Sequence, residues 1–494
     1  MSRQLRNEYP GAIYHVMSRG KRRERIFRDE ADRRLFRAAL EGTVSIVRTD
    51  TCLMPSLKLV SDQNPRQIAA RILSQRQNAG EFTETLLEIA LATAQLSPPD
   101  RGLCQELVYG VVRWQATLDQ LIARKTTQPG QKSALQNLLR LGLYQIFWLD
   151  RIPPHAAVHE TVELAKRSGF NRQAGFINAV LRGNLREMAE IRKILADLKK
   201  SSPALGYSHP AWLVEKWQKQ FGGESTQKLL EWNNTPPPTF ARVNTLKTDA
   251  GKLVERWREE DVEYDFVRRP GFPEDLVFEL KAHLALARLG SFRDGWFYIQ
   301  DPSTLLAPTL LGAKTGDTIL DLCAAPGGKT TFLAQWIEDD GRIVAQDVAP
   351  DRLKLIRENC ERLGITCVET VLPAALDAQP KGQFDRVLVD APCSNTGVMR
   401  RRVDLRWRIL ASEVERLAVT QLELLQQAAT HLKPGGSIVY STCSLEAEEN
   451  SHVIKQFLSA HPDFELVSEK QLLPFVDQMD GAYVALLKHA PKQP

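Results

Sequence analysis

The chain has no Cys-x-x-Cys pair, no apolar run long enough to cross a bilayer and almost no excess of charge of either sign. Each absence removes a class of function. Seven scattered cysteines without paired spacing exclude a zinc ribbon or a disulfide framework and fit a reducing cytoplasm, so no metal is expected. The longest apolar stretch, 138–149, is short and carries Arg140, which excludes a spanning helix. The opening Met1-Ser-Arg-Gln-Leu-Arg6 has no apolar signal core. With 65 Lys+Arg against 60 Asp+Glu, global charge points to no partner. A soluble, monomeric, cytoplasmic protein with no membrane partner is the expectation. Local charge says more: Arg19-Gly-Lys-Arg-Arg-Glu-Arg25 and Arg400-Arg401-Arg402 are candidates for phosphate contacts, the alternative being solvated charged faces.

Length divides the chain. A span of 494 residues exceeds one ordinary core and predicts several domains. From 65 to 200 apolar residues recur at helical spacing. Val158, Val162 and Ala165 share one face of 155–167, and Pro98-Pro99 and Pro153-Pro154 punctuate the run. Breaks at 201–203 and 233–238 introduce a mixed stretch of linker helices and a small α/β subdomain, 201–310. From 311 to 494, short apolar strands at 318–322, 342–347, 385–390 and 437–440 alternate with helical runs, which predicts a doubly wound parallel sheet. Residues 44–64 have no pattern and read as a linker.

Ligands of such sheets sit at the carboxyl ends of the strands. There the sequence places Cys323-Ala324-Ala325-Pro326-Gly327-Gly328-Lys329, a strand running into a glycine turn and a helix. The P-loop needs glycine five residues before Gly328, where Cys323 stands, and G-x-G-x-x-G is absent, so ATP and NAD are both poor ligands here. Asp347 ends the second strand, where an acid accepts from ribose hydroxyls; its plainer role is a helix N-cap. Together these parts look like the S-adenosylmethionine site of a class I methyltransferase.

Two cysteines also stand at strand ends: Cys393 in Asp390-Ala-Pro-Cys-Ser394 and Cys443 in Ser441-Thr-Cys-Ser444. Carbon 5 of cytosine is a poor nucleophile until a thiolate adds at C6 and makes the ring an enamine. A base must afterwards remove the C5 proton so that the thiol can leave. Such chemistry needs an activated Cys, an acid near N3 and a pocket for an unstacked base. Cys393, Cys443 and Asp390 supply those residue types; two buried structural thiols are the alternative.

Five stretches carry a family resemblance: Arg242–Thr245, Gln300–Ser303, Asp321–Thr330, Asp390–Gly397 and Tyr440–Asn450. They are similar to the RNA cytosine-5 methyltransferases of the NOL1/NOP2/Sun family. The helical region 65–200 resembles a NusB-type RNA-binding domain, and the pairing resembles the bacterial subfamily B that acts on 16S rRNA. The resemblance implies a multidomain protein, an all-α NusB-like domain followed by an α/β class I (Rossmann-like) methyltransferase domain. It also implies S-adenosylmethionine as donor, 16S rRNA as partner, an attacking thiolate at Cys443 and a resolving role for Cys393. Asp390 would sit by donor and base, Cys323 to Lys329 would line the donor, and Asp347 would bind its ribose. One departure stands out: the family's acid after the third strand has no clean counterpart in Glu369–Asp377.

Residues 1–43 resemble instead the opening of a transposase that cuts single-stranded DNA with a tyrosine. Its histidine pair and catalytic Tyr have no counterpart, and His15 alone reads as an ordinary strand residue. A fusion remnant or a wrongly chosen start, without transposase activity, is the expectation.

Overall fold

The computed structural model describes residues 64–79, 81–126, 132–268, 275–281 and 286–490. The expectations for residues 1–43 and for nearly all of the linker lie outside them. Residues 63–494 form one unit.

Helices Pro65–Ala79, Thr83–Thr93, Pro98–Arg113, Gln115–Ala123, Ser133–Trp148, Pro154–Arg167 and Ala174–Arg186 pack around one apolar core. Their ends follow local chemistry. Ser97 accepts from the backbone N–H of Asp100, Pro98 and Pro99 open the helix, and Asp100 lies in its first turn. Pro154 opens its own helix, and Lys166 and Arg167 face the carbonyl end. Gly110 lies so close under the Tyr144 ring that a Cβ would stand 2.0 Å from it, so glycine sets the spacing of those two helices.

Helices Ala211–Phe221 and Gly223–Asn233 lead into a small antiparallel sheet of β1 (Thr239–Val243), β2 (Tyr264–Phe266), β3 (Val277–Leu280) and β4 (Phe297–Ile299), in the order β2-β3-β1-β4. Helix Ala250–Glu259 covers it, with Trp257 buried edge-on against Phe278 and Phe297.

The larger sheet runs β10-β11-β9-β8-β5-β6-β7. Its strands are β5 (Thr318–Leu322), β6 (Arg342–Gln346), β7 (Val368–Val371), β8 (Phe384–Asp390), β9 (Leu432–Thr442), β10 (Phe464–Leu472) and β11 (Ala482–His489). The strands from β9 to β7 are parallel, and β11 and β10 add on antiparallel. Apolar clusters bury both faces. Strand order reverses between β5 and β8, and the crevice outside their carboxyl ends is the expected ligand site of this topology.

The helical domain is fastened to this sheet by the segment just after the Cys393 loop. Arg406 is fully buried and donates to the carbonyls of Arg113 (3.1 Å) and Asn233 (2.9 Å) and to Asn234 Oδ1 (2.8 Å). Trp407 Nε1 donates to Val112 O at 2.7 Å, and Asp404 accepts from Arg76 and from the backbone N–H of Thr83. Among the described residues no helix is long and apolar enough to cross a membrane.

Candidate active site

The glycine turn leaves β5 with Cys323 (φ 61°) and Gly327 (φ 98°) both left-handed. Gly327 caps helix Gly328–Trp336. A side chain is strained at that φ, which is why glycine occupies the turn. Asp347, almost fully buried, binds the turn from the next strand: it accepts from Ala325 N at 3.1 Å and Val348 N at 2.8 Å. Ala324 N donates to Gln346 O (2.9 Å), Arg352 to Ala325 O (2.9 Å) and Asn359 to Pro326 O (3.1 Å). Arg242 holds the helix start from β1. It is fully buried, donates to Gly328 O (3.0 Å), Thr331 Oγ1 (3.1 Å) and Gln300, and lies over the Tyr298 and Phe332 rings. Burial lowers its pKa to about 9. The Arg242 and Gln300 stretches thus join the small sheet to the glycine turn.

Three carboxylates, Asp321, Asp347 and Asp390, are close enough to raise the Cys323 thiol, which burial first and these acids next push up to about 12. Asp321 is fully buried, accepts from Thr330 Oγ1 at 2.6 Å, and is raised to about 7, mainly by burial. Lys329 Nζ lies 2.6 Å from Asp390. Burial alone would lower that ammonium, but Asp390, with smaller help from Cys443 and Asp321, overrides it and the pKa is raised. The site is therefore an acidic hollow in which Lys329 pairs with Asp390 and Arg352 lies 3.4 Å from Asp347.

The two cysteine loops meet. Cys393 Sγ and Cys443 Sγ stand 3.1 Å apart, and Cys443 N donates to Cys393 Sγ at 3.3 Å. Asn395 (φ 59°) donates to Cys393 O at 2.6 Å and accepts from Cys443 Sγ at 3.0 Å. The Cys393 thiol is held well above the ordinary range, first by its hydrogen bond with Cys443 and then by burial. Cys323 to Lys329, Asp347, Asp390, Cys393 and Cys443 converge here; Glu369 and Asp377 do not. Glu369 lies mid-strand opposite Val344 and pairs with Arg342 at the surface (2.7 Å); Asp377 ends a short helix. Exposed Val348 and Leu372 occupy the carboxyl ends of β6 and β7 instead.

Arg400 and Arg401 correct the phosphate-clamp reading. Arg400 is buried, stacks on Trp232 at 4.1 Å and binds Asp480 at 2.9 Å. Arg401 binds Asp480, Asp301 (2.6 Å) and Pro238 O (2.9 Å). Only Arg402 of the three is exposed. Sequence reasoning gave no role to Asn395, Arg242 or Glu449, although each lies inside a stretch that carried the resemblance.

Known proteins of similar sequence bear on this geometry. The family described as 16S rRNA methyltransferase RsmB/F matches residues 308–488, the NusB family 63–186, and a ferredoxin-like domain of RsmF/B-like methyltransferases 209–274. The probable ribosomal RNA small subunit methyltransferase B of Bacillus subtilis is 37% identical over 82% of this chain and 91% of its own length. The corresponding Escherichia coli protein is 37% identical over 86% and 98%. A solved methyltransferase homolog from Pyrococcus horikoshii, 30% identical, covers 58% of this chain and 97% of its own with a TM-score of 0.50. The chain belongs to the RsmB/F family of 16S rRNA methyltransferases.

Proposed function

We propose that this enzyme transfers a methyl group from S-adenosylmethionine to carbon 5 of a cytosine in 16S rRNA through a covalent adduct between Cys443 and C6. The observation that carries the reading is the pair of thiols 3.1 Å apart beside the Lys329–Asp390 pair. When bound, the donor supplies an electrophilic methyl on a sulfonium. Cys323 to Lys329 would line it with backbone, Asp347 would accept from its ribose, and Asp390 would face its positive charge. Val348 and Leu372 offer apolar surface to the adenine in place of the missing acid.

Cys443 gives its proton to the Asp390 carboxylate and its sulfur adds to C6; Asp390 passes that proton to N3, and C5 then takes the methyl. The hydrogen bond with Cys443 is the first cause of the raised Cys393 pKa. With Cys443 sulfur bonded to C6, Cys393, whose sulfur stands 3.1 Å from Cys443 Sγ, gives its own proton to solvent and takes the C5 proton in its place. Electrons from the C5–H bond re-form the ring double bond, Cys443 leaves with the C6–S pair, and the N3 proton returns through Asp390 to the Cys443 sulfur. Lys329 holds Asp390 in place throughout and lowers the cost of negative charge beside Cys443.

The test is nucleoside analysis of unmodified 16S rRNA after incubation with the enzyme and labelled donor. Label in 5-methylcytidine at one position is expected. Label in another nucleoside, or in DNA alone, overturns the reading.

A further inference from the structure

Both cysteine loops are tied to one side chain outside the chemistry described above. Glu449 is fully buried in the short turn Ala447–Glu449, six residues beyond Cys443. Its Oε1 accepts from the backbone N–H of Ser394 at 2.8 Å and from Gln421 Nε2 at 3.0 Å. Its Oε2 accepts from the hydroxyls of Ser394 and Ser444, which lie 3.1 Å from each other. Gln421 also donates to Pro392 O at 2.9 Å, and Tyr440 donates to the backbone O of Glu449 at 2.6 Å.

The residues on both sides of Cys393 and the residue after Cys443 are therefore bound, directly or through Gln421, to a single carboxylate. Backbone bonds from Ala391 N to Ser441 O and from Gly397 N to Cys443 O fix the outer ends of the paired loops. Between them the Cys393 loop leaves the strand geometry, and the carboxylate sets how near it stands to Ser444. Four donors saturate a carboxylate that water cannot reach, and such a buried, fully satisfied network specifies one geometry.

We propose that Glu449 is the positioning residue that fixes the spacing of the two thiols, so that Cys393 is in reach of the ring that Cys443 holds. The proposal rests on the reading of these two cysteines as the reacting pair. Glu449 hydrogen-bonds neither thiol and positions them through Ser394 and Ser444; its charge also adds a smaller rise to the Cys393 pKa, which Glu449→Ala and Glu449→Gln remove alike, so the difference between the two variants reads position.

Disulfide closure by diamide reads this spacing without RNA or donor. Each thiol gives its hydrogen to the azo bond of diamide, which becomes a hydrazine, and the S–S bond forms. Closure between Cys393 and Cys443, followed by mass spectrometry of the joined peptides, is expected to slow about tenfold in Glu449→Ala. Glu449→Gln should stay within about twofold of wild type. The amide oxygen keeps the Ser394 N–H and Gln421 donors, and the serine hydroxyls reverse to accept from its NH2. If Glu449→Ala does not fold, Ser394→Ala keeps the backbone bond, removes one hydroxyl and should slow closure about threefold. Closure at the wild-type rate in whichever of these alanine variants folds overturns the proposal, and so does a Glu449→Gln as slow as Glu449→Ala. In parallel methylation assays the product-release step should fall more than donor binding. Closure depends on no activity, so failure to methylate cytosine would remove the proposed reaction and leave this spacing result intact.

Discussion

Lys329 Nζ stands 2.6 Å from Asp390, and this pair joins the end of the glycine turn to the first cysteine loop across the point where strand order reverses. Removing the ammonium leaves Asp390 beside Asp321 and Asp347 with its partner gone. Lys329→Met is expected to reduce methyl transfer by about a hundredfold or more while the protein still folds. Single-turnover kinetics with saturating donor measure it, and a loss confined to donor affinity would assign Lys329 to donor binding alone.

In the proposed reaction Asp347 holds the donor and does not act on it. Asp347→Ala should weaken S-adenosylmethionine binding about tenfold or more, read by calorimetry, with RNA affinity unchanged. Unchanged donor affinity would leave Asp347 as a strut for Ala325 only.

Asp321 gives the fold a pH dependence with a definite sign. Its folded pKa, about 7, lies above the unfolded value, because burial disfavours the charged form. Its contribution to stability is greatest below the unfolded pKa, near 4, and is lost as pH rises toward about 7. Asp321→Asn cannot ionise and escapes that loss. Urea unfolding should therefore show the variant gaining at least about 1 kcal/mol relative to wild type between pH 5 and pH 8.

Arg406 tests the fastening of the helical domain. Arg406→Ala removes donors to Arg113 O, Asn233 O and Asn234 Oδ1 in a dry site. A loss of about 3 kcal/mol is expected, measured as a lower unfolding midpoint. By the same logic Arg401→Gln should lower stability and leave the salt dependence of RNA binding unchanged, since its partners are Asp301 and Asp480.

Four of the parallel strands, β5, β6, β8 and β9, were legible because each holds a short, mostly buried apolar run; β7, Val368–Val371 at the sheet edge, was not, because Glu369 and Thr370 break its run and little of it is buried. β10 was not, because most of its residues are exposed on an antiparallel edge and carry polar side chains. The three- and four-residue strands of the small sheet fall below what periodicity can mark. Within the site, Cys393, Cys443, Asp390 and the glycine turn were visible as residue types at strand ends. Their spacing was not, since it depends on Glu449 and Gln421, remote from Cys393 in sequence. The arginine run at 400–402 reads alike whether it meets phosphate, water or an internal acid. Asp301 and Asp480, 100 and 79 residues from Arg401, decide the matter.

The most direct measurement of the central claim is a trapping gel. Wild type, Cys393→Ala and Cys443→Ala are each incubated with methyl-labelled S-adenosylmethionine and unmodified 16S rRNA and run under denaturing conditions. A labelled protein–RNA band with Cys393→Ala alone is expected, because the adduct forms through Cys443 and is not released. A band with Cys443→Ala alone would contradict it and make Cys393 the nucleophile.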